Sequence, residues 1–460
     1  MKKNLLILAI AVLGFVELGQ AQAQNPECLT NLSIYTEYVK VKNYDAAYEP
    51  WKLVYETCPL LHEVNFLYGE RILKDKIKKS VGEDKSTYVT MLLDLFKNSQ
   101  QFLQKFPNKV KFADVKMDEA LLKNEEKLAS DEEIYAILHE GFSQDKKNFT
   151  DPKAIYLYFS ILVDLHKSGS KDLDEVFAIY DEVVEQIDVQ FASLNATSIK
   201  LQKKEEAGTL TSRDQRMLKV VESKSKAFDQ IAGSIDTKLG RLADCDNLIP
   251  LYQKNFEAKK GDVKWVKGAV SRMFSKECTD DPMFVKLVEA QTALAPSADT
   301  YFYLGMLKQK QGDSKEAVDN FNKAVELETN ASKKSSILYK IALTYKKSSK
   351  SKARDFALKA IAEDGSNGSA YLLIANLYAG SANECGETQF EKRAIYWKAA
   401  EMAKKAGRVD LKLRERVAQT VESYEAKAPS RTDIFESGMA GKVVSFKCWV
   451  GGSIKVPSLE

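Results

Sequence analysis

The chain has 460 residues, of which 44% are hydrophobic and 29% are charged. Its 68 lysine and arginine residues nearly balance 65 aspartate and glutamate residues, which leaves a formal net charge of +3. This balance favours neither nucleic acid nor an anionic membrane as a partner. The length is sufficient for two or three domains or for one long repeat array.

Residues 1–23 have the features of a secretory signal peptide. Two lysines precede an apolar run, and Ala21 and Ala23 form an A-x-A arrangement that predicts cleavage after Ala23. A membrane anchor is the alternative, but the run is short for a bilayer span and is interrupted by Glu17. Because no other segment has the length and apolarity to span a bilayer, we expect an exported protein without a transmembrane segment in its mature form. The periplasm is the expected location, with a peripheral position at the outer membrane as a further option.

Residues 24–187 are predicted to form helical hairpins. The first unit, Cys28 to Pro59, places Ile34, Ala47 and Trp51 at positions 7, 20 and 24 of a repeat. This is the spacing of the tetratricopeptide repeat (TPR), in which small residues at positions 8, 20 and 27 let two antiparallel helices approach closely. A weaker unit of the same kind follows near residues 154–187. An unrelated helical bundle is the alternative.

Residues 188–244 depart from the repeat pattern. They are helical in character and highly charged, with a break at "EAGTLTSRDQ". We interpret them as two long helices that form a projecting hairpin or a spacer between two repeat blocks.

Residues 245–425 are predicted to hold further TPR units. The clearest begins at Ala298 and has Gly305 at position 8, Ala317 at position 20, Phe321 at position 24 and Ala324 at position 27. The same spacing recurs in the next unit, and a third begins near residue 369. Several matches in register favour an all-α solenoid of TPR-like hairpins.

Residues 426–460 lose the helical period. "KVVSFKCWV" and "SIKV" are β-prone runs joined by Gly451 and Gly452, so they predict a small β hairpin that folds back onto the last helices.

Six cysteines in an exported chain indicate a possible disulfide framework. In a TPR unit the start of the first helix lies beside the end of the second, which is where Cys28 and Cys58 fall. The second pair of cysteines repeats this arrangement around a Gly-Asp turn, and the third pair remains. The predicted bonds, with six free thiols as the alternative, are Cys28–Cys58, Cys245–Cys278 and Cys385–Cys448.

The first helices of TPR units form a concave face that binds extended or helical peptides. We expect an apolar strip flanked by lysines, unless the concave face packs on the β tail or on a second copy of the chain. The residues predicted to face this groove are Asp299, Phe302, Met306, Gln309 and Lys310, then Ser336, Tyr339, Leu343, Lys346 and Lys347, and then Asn376.

Catalytic and cofactor signatures are missing from the sequence. The histidines His62, His139 and His166 lie far apart, and neither "HEVNF" nor "HEGFS" completes a zinc-binding H-E-x-x-H. No phosphate-binding loop or G-x-S-x-G motif is complete. We therefore expect no enzyme activity, no metal and no cofactor.

The stretches "NYDAAYEPWKLVYETCP", "NFLYGERILKDKI" and "CWVGGSIKV" resemble a family of exported bacterial TPR proteins of similar length. The resemblance implies a helical solenoid in the cell envelope and carries no settled activity. Our leading hypothesis is a non-catalytic scaffold that binds another envelope protein, in outer-membrane assembly, secretion or motility by analogy. A chaperone-like carrier of exported polypeptides is the alternative, and the sequence leaves open whether the chain is a monomer or a dimer.

Overall fold

The computed structural model describes residues 25–459, so the predicted signal peptide lies outside the described residues. The described chain is almost entirely α-helical, with one small antiparallel sheet near its C-terminus. It divides into two compact units between Phe149 and Thr150. The predicted all-α class is confirmed.

The first unit is built from antiparallel helical hairpins around an aromatic core. Trp51 is fully buried, and its Nε1 donates a hydrogen bond to the carbonyl of Asn65 at 2.8 Å. Gly69 lies against the Trp51 ring, where a β-carbon would come within 2.5 Å of it. The helices of this unit are α1 (Pro26–Lys40), α2 (Tyr44–Thr57), α3 (Val64–Lys79), α4 (Gly82–Lys97), α5 (Ser99–Lys105), α6 (Phe112–Glu125) and α7 (Asp131–Asp145).

The second unit contains two long helices followed by shorter helices that pair in sequence order. The shorter pairs are α14 with α15, α16 with α17 and α18 with α19. Its helices are α8 (Pro152–Lys167), α9 (Leu173–Glu206), α10 (Ser212–Leu239), α11 (Cys245–Lys259), α12 (Val263–Ser275), α13 (Pro282–Leu294), α14 (Ala298–Lys310), α15 (Ser314–Leu327), α16 (Ala331–Tyr345), α17 (Lys350–Glu363), α18 (Gly368–Ala379), α19 (Gln389–Val409), α20 (Arg414–Lys427) and α21 (Arg431–Glu436).

The α14–α15 hairpin shows the close helix contact that the repeat spacing predicts. A β-carbon on Gly305 would lie 2.6 Å from the Phe321 ring and 3.0 Å from the carbonyl oxygen of Ala317. Ala317 and Ala324 are buried in the same contact. Positions 8, 20, 24 and 27 of the repeat therefore meet between the two helices, as small residues at a tight crossing require.

The long helical pair α9–α10 reverses direction at residues 207–211. Gly208 has a φ of 65°, a conformation that glycine adopts at little cost. Thr211 then caps α10, because its side chain accepts a hydrogen bond from the backbone N–H of Asp214 while the Asp214 carboxylate accepts one from the Thr211 backbone. The two long helices and their break match the prediction, although the expected boundary at residue 188 falls inside α9.

The α9–α10 pair packs onto the helices that follow it. Asp181 of α9 pairs with Arg272 of α12 at 2.5 Å. Further along α9, Asp188 pairs with Lys412 at 2.5 Å, and the same ammonium lies 4.3 Å from the centre of the Phe191 ring. The prediction of a projecting hairpin is therefore wrong. The physical reason is that α9 carries aromatic side chains such as Phe191, which is buried between Phe228 of α10 and the Lys412 side chain.

The C-terminal tail forms the predicted β hairpin from β1 (Val443–Ser445) and β2 (Ser453–Lys455), with Val444 opposite Ile454. Nε1 of Trp449 donates a hydrogen bond to Ser381 Oγ at 3.2 Å, and the Arg354 guanidinium of α17 donates to the Trp449 carbonyl. The tail therefore folds back onto the last repeats, as predicted.

The cysteines pair as predicted from their repeat positions. The bonded pairs are Cys28–Cys58, Cys245–Cys278 and Cys385–Cys448. The first two close single helical hairpins, and the third joins the loop after α18 to the β hairpin. In residues 25–459 no helix combines the length and the apolarity that a bilayer crossing needs.

Candidate protein-binding surface

The α16–α17 hairpin buries one side of α16 and leaves the other side open. Ile341, Ala342 and Tyr345 face inward and pack with the buried alanines of α17. Residues on the opposite side of the helix therefore point away from the hairpin core. We refer to this open side as the α16 face, formed by Ser336, Tyr339, Leu343, Lys346 and Lys347.

The α16 face combines one apolar centre with two cations. Leu343 is 41% exposed near the C-terminal end of this side of α16. Lys346 and Lys347 are exposed in the turn that directly follows Tyr345, the last residue of α16. Tyr339 is half-buried one turn before Leu343. Tyr339 and Leu343 thus lie one helical turn apart on the same side of α16, and the two lysines follow at its C-terminal end.

Tyr339 connects the α16 face to the next two repeats. Its side chain lies near Ser369 at the start of α18. Burial raises the pKa of Tyr339, and the positive charge of Arg416 on α20 acts in the opposite direction. Ser369 and Arg416 are functional candidates that the sequence analysis missed, because they come from helices 30 residues or more away and belong to weaker repeats.

Asn376, predicted for the groove, is exposed on α18. Its Oδ1 accepts a hydrogen bond from the Tyr424 hydroxyl of α20 at 2.6 Å. The interaction positions the amide and joins α18 to α20. The open surface thus continues from α16 across α18 to α20.

The predictions for Phe302 and Met306 of α14 are wrong, because both side chains are buried, at 0% and 7% exposure. Phe302 packs edge-on against Phe274 of α12 at 5.5 Å and lies 6.0 Å from Phe321 of α15. Aromatic packing from the preceding repeat therefore covers the position that the repeat pattern assigns to the groove.

The polar residues predicted on α14 have local roles. The Lys310 ammonium donates hydrogen bonds to Asp280 at 2.7 Å and to Thr279 at 2.6 Å. The Lys310 interaction lowers the pKa of Asp280. Asp299 and Gln309 are half-buried. The apolar strip predicted to run from α14 to α16 is therefore reduced to Tyr339 and Leu343.

The histidines make local contacts. Nδ1 of His166 donates a hydrogen bond to the Lys171 carbonyl at 2.8 Å. The His139 ring stacks on the Tyr135 ring, with 5.5 Å between the ring centres. His62 Nδ1 accepts a hydrogen bond from the backbone N–H of Val64. Across the part of the chain that the structure describes, no three His, Cys, Asp or Glu side chains are grouped so that they could hold a metal ion.

The hairpins from α14 to α19 form a TPR-like helical solenoid. No family model and no curated protein matches the sequence.

Among solved structures, the chain is similar to a tetratricopeptide repeat protein from Parabacteroides merdae, with 13% identity over 68% of this chain and 98% of that chain, at a TM-score of 0.23. It is also similar to yeast Tom70 (12% identity, 89% of this chain and 98% of that chain, TM-score 0.25). A third similarity is to the APC/C hetero-tetramer Cut9–Hcn1 (10% identity, 87% of this chain and 97% of that chain, TM-score 0.26).

Proposed function

We propose that this protein is a non-catalytic scaffold that binds another protein of the bacterial cell envelope through the α16 face and its continuation over α18 and α20. The observation that carries the proposal is the surface formed by half-buried Tyr339 and the exposed side chains of Leu343, Lys346 and Lys347. The tyrosine and the leucine offer the aromatic and aliphatic contact area that interface cores use, and the lysines beside them offer charge for the polar rim.

The disulfide bonds support the part of the proposal that concerns location. Three structural disulfides are compatible with an oxidising compartment outside the cytoplasm. Together with the predicted signal peptide they favour export, with the periplasm as the proposed destination. Cell fractionation, followed by alkylation of free thiols in each fraction, tests this directly. A reduced protein recovered in the cytoplasm would contradict it.

The binding proposal is tested by photo-crosslinking in the native cells. A photoreactive amino acid replaces Leu343, and the matched control replaces Leu358, which is a leucine of similar exposure (45%) on α17 of the same hairpin. The expected result is one discrete adduct from position 343, identified by mass spectrometry and reproduced with the purified partner, and none from position 358.

Two other outcomes have clear meanings. A smear of many exported polypeptides at position 343 would favour the chaperone-like carrier over the scaffold. Equal adducts at both positions, or none at position 343, would remove the α16 face as the binding surface.

A further inference from the structure

Positive charge is concentrated in the α16–α17 hairpin. Residues 331–363 contain nine lysine and arginine residues and two acidic residues, a net charge of +7 within a chain whose total is +3. The rest of the chain is therefore slightly acidic. A local excess of one sign produces a field that attracts a partner of the opposite sign and raises its association rate.

Much of this charge has no partner within the protein. Lys334 and Lys350 pair with carboxylates, at 3.3 Å and 2.6 Å, and both are partly buried. By contrast, among the residues that the structure describes, no carboxylate pairs with Lys346, Lys347 or Arg416. These three cations are exposed and belong to, or border, the α16 face.

The arrangement fits a mixed ligand. Leu343 lies one helical turn after Tyr339 on α16, and Lys346 and Lys347 follow in the turn directly after the helix. A bound segment can place an apolar side chain on Leu343 while its carboxylates reach the lysines and Arg416. Resting on the proposed function, we propose that the partner presents an acidic segment containing apolar residues, and that the α16 face selects it by charge.

A protein segment is favoured over a nucleic acid strand. Single strands bind where bases stack on open aromatic faces, whereas Tyr339 is half-buried. The most exposed large side chain at the centre of the face is an aliphatic one, Leu343. An aliphatic side chain suits leucine, valine or phenylalanine of a peptide.

The test measures the binding of labelled synthetic peptides to the full disulfide-bonded chain by fluorescence anisotropy. The probe is a capped 16-residue peptide with Glu and Asp interspersed among Leu and Phe, and its control replaces every carboxylate by the matching amide. Because each exposed ion pair contributes a small gain, several together predict at least about tenfold tighter binding of the acidic peptide at low salt. The difference should shrink as salt is added.

Two double charge-reversal variants that change the net charge by the same amount separate the contribution of the α16 face from that of the protein's overall electrostatic field. Lys346→Glu with Lys347→Glu should weaken binding of the acidic peptide about tenfold. Lys352→Glu with Lys359→Glu, on α17 of the same hairpin, should change it less than about twofold. The neutral double variant, Lys346→Gln with Lys347→Gln, should show an intermediate loss of binding. It keeps the test valid if the charge-reversal variant misfolds.

The inference is overturned if the amide peptide binds as tightly as the acidic one, if neither binds, or if both charge reversals have the same effect. Equally tight, equally variant-sensitive binding of a 16-nucleotide oligothymidylate would also overturn it, since the face would then be a general polyanion site. If the adduct at position 343 joins a neutral or basic segment of its partner, this inference fails while the scaffold function stands. If no adduct forms, the proposed function itself fails.

Discussion

Replacing Arg272 with methionine should loosen the contact between α9 and α12. Arg272 is buried on α12, and its guanidinium donates to the Tyr252 hydroxyl at 2.7 Å and to Asp181 at 2.5 Å. It also lies 4.8 Å from the centre of the Phe177 ring on α9. A methionine fills much of the same volume but replaces none of the hydrogen bonds.

The magnitude follows from which partner loses access to water. Tyr252 is fully buried, so its hydroxyl would be left without a partner, at a cost of about 1–3 kcal/mol. The Asp181 side chain is 41% exposed, so water can replace the cation, and the full penalty of a broken buried ion pair does not apply. Adding about 1 kcal/mol for the lost ion pair, the contact should weaken by about 2–4 kcal/mol.

Hydrogen exchange followed by mass spectrometry measures this local free energy. Amides of α9 and α12 that open through this contact should exchange roughly thirtyfold to several hundredfold faster in Arg272→Met. The matched control is Lys264→Met on the same helix, whose ammonium is 78% exposed and pairs with Glu182 at 2.9 Å. It should change the free energy by less than about 0.5 kcal/mol. The reasoning is refuted if both variants alter the exchange equally.

Three further predictions test the fold. Gly305→Ala should lower the thermal midpoint of unfolding, because the new β-carbon would lie 2.6 Å from the Phe321 ring. This overpacking costs about 1–3 kcal/mol, which exceeds the gain from the higher helix propensity of alanine. A higher thermal midpoint would contradict the prediction. Replacing Cys385 and Cys448 with alanine removes the disulfide that closes a loop with a sequence separation of 63 residues, and this disulfide stabilises the fold by about 4 kcal/mol. Limited proteolysis should therefore cut the C-terminal tail faster than in the parent protein. An unchanged rate of cutting would show that packing alone holds the tail. Burial raises the pKa of Glu70 from 4.5 to about 7, so the free energy of unfolding should fall as the pH rises through this interval and should level off above it. Urea unfolding at several pH values in this range should show that Glu70→Gln lacks the slope. An unchanged slope in this variant would reject the assignment to Glu70.

The sequence by itself determined the order of hairpins and the disulfide pairs. Gly305 and Ala317 mark a helix crossing because only small side chains fit there, and this requirement acts between neighbours in sequence. Cys28 and Cys58 close one hairpin for the same local reason. The turn of the β hairpin follows from its two adjacent glycines.

Only the tertiary structure decided which part of the predicted groove is open. Phe302 and Tyr339 occupy the same position of successive repeats, yet Phe302 is fully buried and Tyr339 is half-buried. The difference comes from Phe274, which α12 places against Phe302.

The packing of the long hairpin was likewise invisible to the repeat pattern. Its contacts join Asp188 to Lys412 across more than two hundred residues, and no local spacing encodes such a pair. A repeat pattern specifies how each hairpin packs internally, because those contacts are short in sequence. The exposure of a face depends on side chains that distant elements bring to it, and that is settled only when the whole chain has packed.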